Sequence, residues 1–192
     1  MTPATVEMDS PLWRFSLAVY RDAGVQEECL AAQERLGVDV NLLMFCAYVA
    51  AAEGAVLADD DVADAVAAAG PWHGAVVREL RQVRQTMKPW GAASAGDFAP
   101  VVEALRTKVK GAELEAEHIE QAMLWAWLRA RLPKLRRDDR RAALAANVRA
   151  LLIRCGAAGA EADALRALPQ FCVAALQAGA QDRALGAAGT AR

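Results

Sequence analysis

One spacing in the chain matches a metal-binding pattern, a glutamate and a histidine three positions apart at Glu115 and His118. On a helix this spacing puts a carboxylate and an imidazole on one face, as in di-iron helical bundles. Such a site needs a second motif and two further carboxylates, and the other histidine, His73, has no glutamate three positions before it. His118 also falls beside the polar face of its helix. The sequence therefore predicts a solvated face at His118, no metal site and no cofactor.

Nucleophilic catalysis has no recognisable signature in the sequence. His73 follows Trp72 at the start of a predicted helix, where a neutral imidazole satisfies free backbone amides or lies at the surface. There is no Gly-x-Ser-x-Gly motif, no glycine loop for phosphate and no histidine-paired cysteine signature. The cysteines lie far apart among apolar neighbours, which favours buried thiols in a reducing compartment. They are Cys29, Cys46, Cys155 and Cys172.

Two sets of polar residues are candidates for binding. The first would have to converge in an apolar cavity within the bundle, as a small-molecule or enzymatic pocket. Its members are Asn41, Tyr48, Glu53, Arg78 and Glu117. The second, the basic cluster, offers paired guanidinium donors to an acidic partner, a phosphate or nucleic acid. Its members are Arg129, Arg131, Lys134, Arg136, Arg137, Arg140 and Arg141.

Charge and composition restrict the partners. The formal net charge of −2 disfavours a protein that wraps nucleic acid. The basic cluster has only Trp125 and Trp127 nearby to stack on bases, which favours a solvated hinge over a nucleic-acid site. The N-terminus lacks a basic leader, and no stretch reaches the roughly 20 apolar residues of a membrane span. We expect a cytoplasmic protein without membrane insertion.

Periodic apolar residues predict an all-α protein without strands. The clearest helix lies between Phe98 and Arg131, with an apolar stripe at steps of three and four residues. The predicted stripe is Val102, Leu105, Val109, Ala112, Ala116, Ile119, Met123 and Ala126, and the residues predicted to face away are Lys108, Lys110, Glu113, Glu117 and Glu120. Residues 40–53 are apolar nearly all round, so this helix has to lie at the centre of the bundle.

These elements predict a bundle of about six helices at residues 8–132 and a C-terminal helical extension. Gly70 and Pro71 are expected to break the chain between two helices. The extension covers residues 133–178, is expected to pack on the bundle, and contains Pro169, which kinks or splits a helix. From residue 179 to residue 192 the chain is small and polar, and we expect disorder there.

Several separated motifs occur in an order that resembles a known family. They are Ser10-Pro11-Leu12-Trp13-Arg14-Phe15, the stretch from Cys29 to Asp39-Val40-Asn41-Leu42, Val76-Val77-Arg78 with Leu80-Arg81, and the stretch from Lys108 to Glu117. The family is a proteobacterial group of uncharacterised proteins classed as a domain of unknown function, and the resemblance covers about residues 8–130. It implies a bacterial, cytosolic, helical protein without an assigned activity.

The balance of these features favours a non-enzymatic helical protein that acts through protein contacts, as a homodimer, an adaptor or a regulator. The small-molecule or enzymatic pocket is the first alternative, and anion or nucleic-acid binding through the basic cluster is the second. Burial separates the first two interpretations, because a pocket requires its polar side chains to turn inward around one cavity.

Overall fold

The computed structural model describes residues 6–91 and 93–190, without the side chains of residues 91, 93–95 and 185–190. Within these ranges the protein is almost entirely helical, which confirms the predicted all-α class. The α-helices are α1 (Pro11–Tyr20), α2 (Val25–Leu36), α3 (Val40–Ala51), α4 (Asp59–Trp72), α5 (Arg78–Thr86), α6 (Ala99–Arg131), α7 (Arg140–Arg154), α8 (Ala164–Ala167) and α9 (Pro169–Thr190). A π-helical segment, His73–Val77, joins α4 to α5.

The described ranges contain one short antiparallel ladder. β1 (Ala55–Val56) pairs with β2 (Arg136–Arg137), with Ala55 opposite Arg137. The sequence predicts no strand, because two residues are too few to show an alternating pattern. The ladder ties the segment after α3 to the segment before α7.

The α3 helix lies at the centre of the bundle, as its apolar sequence predicts. Every residue from Asn41 to Ala51 is buried, and the helix packs against α1, α6, α7 and α9. It begins at Asp39, whose side chain accepts a hydrogen bond from the backbone N–H of Asn41 at 2.8 Å. An N-cap of this kind fixes where the helix starts. It also places the Asp39 carboxylate beside the neighbouring helices.

The C-terminal helices share the core of the preceding ones. Leu144 and Leu151 of α7 are fully buried and belong to the same apolar cluster as α3. In place of a disordered tail, α9 continues through Gly179, where a Cβ atom would lie 2.5 Å from the backbone of Ala51. The missing side chain therefore allows α9 to cross α3 closely. Residues 191 and 192 of the predicted tail lie outside the described residues, and a domain boundary at residue 132 stays a prediction.

The predicted break at Gly70 and Pro71 is wrong, because α4 contains Pro71 and ends at Trp72. The π-helical segment follows directly, and the chain continues into α5 without a turn. Proline removes one helical hydrogen bond, and Pro71 is exposed to solvent. None of the helices in the described part of the chain is long and apolar enough to cross a membrane.

Candidate functional site

A seam of buried polar side chains runs along the middle of α6, over residues 113–121. Glu113, Glu120 and Gln121 are buried there, and Glu120 has no exposed surface. The prediction that Glu113 and Glu120 face away from the packed side of α6 is therefore wrong. Of the predicted apolar stripe only Ala116 is buried, whereas Leu105 is 54% exposed. The packed side of α6 is a polar one over this length.

Arginines of α5 pair with the acidic side chains in the N-terminal part of the seam. The Arg81 Nε donates to Glu113 Oε1 at 2.9 Å, and its terminal nitrogens donate to Gln33 at 2.7 Å and to Glu117 at 2.6 Å. Arg84 donates to the same Glu113 carboxylate. Burial raises the pKa of the Glu113 carboxyl, but hydrogen bonds from Arg84 and Arg81 outweigh burial and lower it. These charges are paired, so this part of the seam is a tie between α5 and α6.

Asp39, His73 and Glu120, called the triad below, meet at the other part of the seam. His73 Nδ1 lies 3.1 Å from Asp39 Oδ2 and 3.1 Å from Glu120 Oε2. One potential metal ligand from each residue lies within 4.8 Å of the other two. The exposed fraction of the side chain is 11% for Asp39, 16% for His73 and 0% for Glu120. Three separate elements, α3, the π-helical segment and α6, therefore bring one imidazole and two carboxylates together.

The triad has more hydrogen-bond acceptors than donors. Asn41 supplies two donors, its backbone N–H to Asp39 Oδ1 and its side-chain amide to Glu120 Oε2, both at 2.8 Å. Glu120 Oε1 is buried and has no hydrogen-bond partner among the described residues. Burying a carboxylate oxygen without a donor is unfavourable unless a cation compensates its charge. The arrangement fits a site that binds a positive ion.

The pKa shifts of the triad show that its three groups are strongly coupled. Burial, and next the neighbouring Glu120, raise the pKa of the Asp39 carboxyl well above its ordinary value. Burial would lower the pKa of His73, but the hydrogen bond to Glu120 and the charge of Asp39 outweigh burial and raise it. Burial likewise opposes ionisation of Glu120, yet hydrogen bonds from His73 and Asp39 lower its pKa. The three groups therefore titrate together, and a proton held by Asp39 or His73 offsets part of the carboxylate charge.

A chain of hydrogen bonds from Glu120 to α1 fixes the position of the Glu120 carboxylate. Its Oε2 accepts from Asn41, whose side-chain oxygen accepts from Gln121 Nε2 at 2.9 Å. The Gln121 oxygen lies 2.9 Å from the Ser16 hydroxyl on α1. All four side chains are buried. Such outer partners fix the orientation of a carboxylate in metal sites.

Local structure around Trp72 directs His73 toward α6. The Trp72 indole N–H donates to the backbone carbonyl of Ala116 at 2.9 Å, which fastens the end of α4 to α6. His73 is the first residue of the π-helical segment. An extra residue in a π turn redirects the side chains beside it, and such turns are frequent at functional sites.

Two residues of the triad form part of the wall of a cleft with a volume of about 590 Å³. Asp39 and His73 line this cleft, together with residues of α2, α4, α5 and α7. The polar and charged members are Gln33, Asp39, His73, Arg78, Arg81, Gln82, Gln85, Arg154 and Cys155. This volume lies within the range of small-molecule sites, about 300–1,000 Å³.

The structure does not bring the five predicted pocket residues around one cavity. Arg78 lines the cleft, Asn41 donates a hydrogen bond to Glu120 of the triad, and Glu117 accepts one from Arg81. Tyr48 and Glu53 form a separate pair, with the hydroxyl donating to the carboxylate at 3.0 Å. Asn41 and Arg78 thus belong to the neighbourhood of the triad, and Tyr48 and Glu53 do not.

Glu115 and His118, the spaced pair of the sequence, do not form a site. Glu115 is exposed. His118 stacks on Trp13 with ring centroids 4.0 Å apart, and its Nε2 lies 2.7 Å from the backbone carbonyl of Met8. His118 therefore fastens the segment before α1 to α6.

The basic cluster is spread over the surface, and four of its seven residues form ion pairs with acidic side chains. The pairs are Arg129 with Glu7, Arg131 with Asp64, Arg136 with Asp138, and Arg137 with Glu53. Arg131 also lies over the ring of Trp127. Lys134, Arg140 and Arg141 complete the cluster. These pairs leave less positive charge for an anion than the sequence implies.

Sequence reasoning missed Asp39 and Glu120 as site residues. Asp39 caps α3 through its Oδ1, which leaves Oδ2 for the triad. Glu120 was assigned to a solvated face. A signal was present, because Glu113, Glu117, Glu120 and Gln121 recur at steps of three and four and form a helical face of their own.

Comparison with known proteins gives one match. The profile of a family described as Protein of unknown function (DUF2390) matches residues 11–124, which include the whole triad. No curated protein and no solved structure matches the sequence significantly. The matched range agrees with the resemblance noted over about residues 8–130.

Proposed function

The chain belongs to the family Protein of unknown function (DUF2390), whose description assigns no activity, and we propose from the geometry that the triad holds a divalent metal ion. The metal ion would lie in the wall of the cleft and act on a small molecule bound there. The supporting observation is the buried Glu120 Oε1, which has no donor among the described residues. This proposal takes up the pocket alternative from the sequence and departs from the expectation of no metal.

The ligand types indicate which metal ions fit. Imidazole nitrogen with carboxylate oxygens suits first-row transition ions such as Zn²⁺, Fe²⁺ and Mn²⁺, whereas Mg²⁺ prefers oxygen and water. Two carboxylates with a neutral imidazole carry a charge of −2, so a divalent ion makes the site neutral. That neutralisation removes the cost of burying two like charges together.

The number of ligands favours a catalytic role over a structural one. Structural zinc sites have four protein ligands, and catalytic sites have three plus an open position for water or substrate. The triad supplies three ligand atoms, and Asp39 and His73 line the cleft. An ion at this place would be reachable from the cleft and polarise an oxygen group of a bound molecule.

Calorimetric titration of the full chain after chelator treatment tests the proposal. We expect one Zn²⁺ or Mn²⁺ per chain and much weaker binding of Mg²⁺. Asp39→Asn, His73→Gln and Glu120→Gln should each weaken Zn²⁺ binding by about a hundredfold or more, because a first ligand is lost. Asp39→Asn retains a good helix cap, so it separates metal binding from folding.

Matched controls exist on the same helix. Glu115→Gln removes an exposed carboxylate of α6, and His118→Gln removes the other histidine; both should leave Zn²⁺ affinity unchanged. The proposal fails if the wild-type chain binds no transition ion, or if stoichiometric binding survives all three triad substitutions.

Protein contact, the first interpretation from the sequence, remains a second candidate with one observation in its favour. Phe98, just before α6, and Val101 and Leu105 in its first half are 73%, 68% and 54% exposed and recur on one side of the helix. We propose that a second copy of this chain packs against this exposed stripe. In a dimer with a two-fold axis, the α6 helices of the two chains can run antiparallel. The apolar stripe of one chain then packs against the same stripe of the other.

Light scattering on the eluting protein tests self-association. Wild-type protein should be a dimer at about 100 µM, a concentration at which even weak pairs form. Leu105→Glu should give a monomer. Leu114→Glu is the control, because Leu114 is 53% exposed on the opposite side of α6 and should leave the dimer intact. A monomeric wild-type protein would exclude this candidate.

A further inference from the structure

We infer that the cleft takes a small molecule carrying a phosphate or carboxylate group, bound between the metal ion of the triad and the guanidinium groups of Arg78 and Arg154. This inference rests on the proposed metal site and adds the chemical class of its ligand. The two arginines come from different helices, α5 and α7, and both line the cleft.

Arg78 and Arg154 differ from the other arginine of the cleft. Each of the three side-chain nitrogens of Arg81 already donates a hydrogen bond, to Glu113, Gln33 or Glu117. Arg78 and Arg154 are exposed, and neither guanidinium group has a hydrogen bond or ion pair within the described part of the chain. A guanidinium group offers paired donors that match the two oxygens of a carboxylate or phosphate. Their donors are therefore available to a ligand.

The charge of the cleft depends on the metal ion. Without an ion, the carboxylate of Glu120 disfavours the approach of an anion. With a divalent ion the triad is neutral, and the cleft keeps the positive charge of Arg78 and Arg154. Bound cations often dominate the local potential and attract oxyanions. The metal ion and the arginines therefore favour the same class of ligand.

The cleft also contains a cysteine whose alkylation rate can report whether a ligand is bound. Cys155 lines the cleft and is half-buried, whereas Cys29, Cys46 and Cys172 are buried. Alkylation of the native chain should therefore take place first at Cys155. A ligand that fills the cleft should slow this alkylation without any modification of the protein.

The experiment measures Cys155 alkylation in the full chain, with and without stoichiometric Co²⁺. Inorganic phosphate and acetate are titrated in separate arms, and chloride at equal ionic strength is the control. In the Co²⁺ protein we expect phosphate or acetate to slow alkylation and to change the visible Co²⁺ spectrum. In the double variant Arg78→Gln with Arg154→Gln, about tenfold more anion should be needed, as for loss of a charged hydrogen bond. Arg149→Gln, an exposed arginine of α7, should behave as wild type.

The outcomes separate this inference from the metal site. If Co²⁺ binds but neither anion slows alkylation, or the double variant responds like wild type, the ligand class is wrong and the metal site stands. Equal protection by the anion in the metal-free chain overturns its placement on the ion. A chain that shows no Co²⁺ spectrum overturns the metal site and this inference together.

Discussion

Two fully buried polar side chains of this core, Asn147 on α7 and Glu120 on α6, differ in how their polar atoms are satisfied. The Asn147 amide donates to the backbone carbonyls of Cys46 and Ala55, and its oxygen accepts from the Leu57 N–H at 2.8 Å. Glu120 keeps one oxygen without a donor among the described residues. Both side chains are 0% exposed.

The comparison separates a structural polar group from a functional one. Two of the backbone groups that Asn147 satisfies, the Ala55 carbonyl and the Leu57 N–H, belong to the segment between α3 and α4. Glu120 satisfies no backbone group, and it adds a second negative charge beside Asp39. Natural proteins retain a buried polar group that lacks a partner chiefly where it acts on something else. The predictions below follow from this difference, beginning with the largest effect.

Asn147→Ala should destabilise the protein by about 3 kcal/mol or more, because three buried backbone groups lose a partner. Metal affinity should not change. Urea denaturation measures the effect, and Arg149→Ala on the exposed side of α7 is the control, expected within about 0.5 kcal/mol of wild type. A loss below about 1 kcal/mol for Asn147→Ala would show that this amide is not a structural anchor.

Glu120→Gln should behave in the opposite way. In the metal-free protein the free energy of unfolding should stay within about 1 kcal/mol of wild type, because removing a buried charge beside Asp39 offsets the loss of a charged hydrogen bond to His73. Added Zn²⁺ should stabilise wild-type protein by about 2.7 kcal/mol at a hundred times the dissociation constant, and should not stabilise the variant. A loss of about 3 kcal/mol without metal would instead make Glu120 a structural group like Asn147.

A third prediction concerns Glu113, which is buried like Glu120 but paired with Arg81 and Arg84. Its pKa in the folded protein is lowered from its ordinary value of 4.5. The stabilisation is therefore present above that value and is lost as the pH falls through the lower, folded-state pKa. We expect a loss of about 2 kcal/mol on acidification in wild-type protein that is missing in Glu113→Gln.

Urea denaturation at neutral and acidic pH measures this loss. Glu103→Gln, which removes an exposed partner of Arg106 on the same helix, should keep the pH dependence of wild type. Parallel pH profiles for wild type and Glu113→Gln would contradict the pairing.

The apolar parts of the fold are predictable from the sequence. The α3 helix has one polar residue in its first turn and is apolar elsewhere, so any fold has to surround it, and the structure does so. Ser10 and Asp39 are residue types that favour the N-cap of a helix, and both side chains accept the backbone hydrogen bonds of a cap. These features depend on short segments of the chain.

The triad was not predictable in the same way. Periodicity assigns Glu113 and Glu120 to the solvent because it considers one helix at a time, whereas their partners lie on α3, α5 and the π-helical segment. The sequence Gly70-Pro71 is typical of a break, and yet α4 continues through Pro71. Local sequence alone therefore does not determine where this helix ends. Residues distant in sequence therefore determine the site.

Anomalous diffraction from crystals of the full chain grown with Co²⁺ or Zn²⁺ tests the metal site most directly. We predict one strong peak about 2.0–2.2 Å from His73 Nδ1 and from a carboxylate oxygen of both Asp39 and Glu120. Crystals in which the ion binds only elsewhere, while Glu120 Oε1 accepts a hydrogen bond from an ordered water, would contradict the proposal.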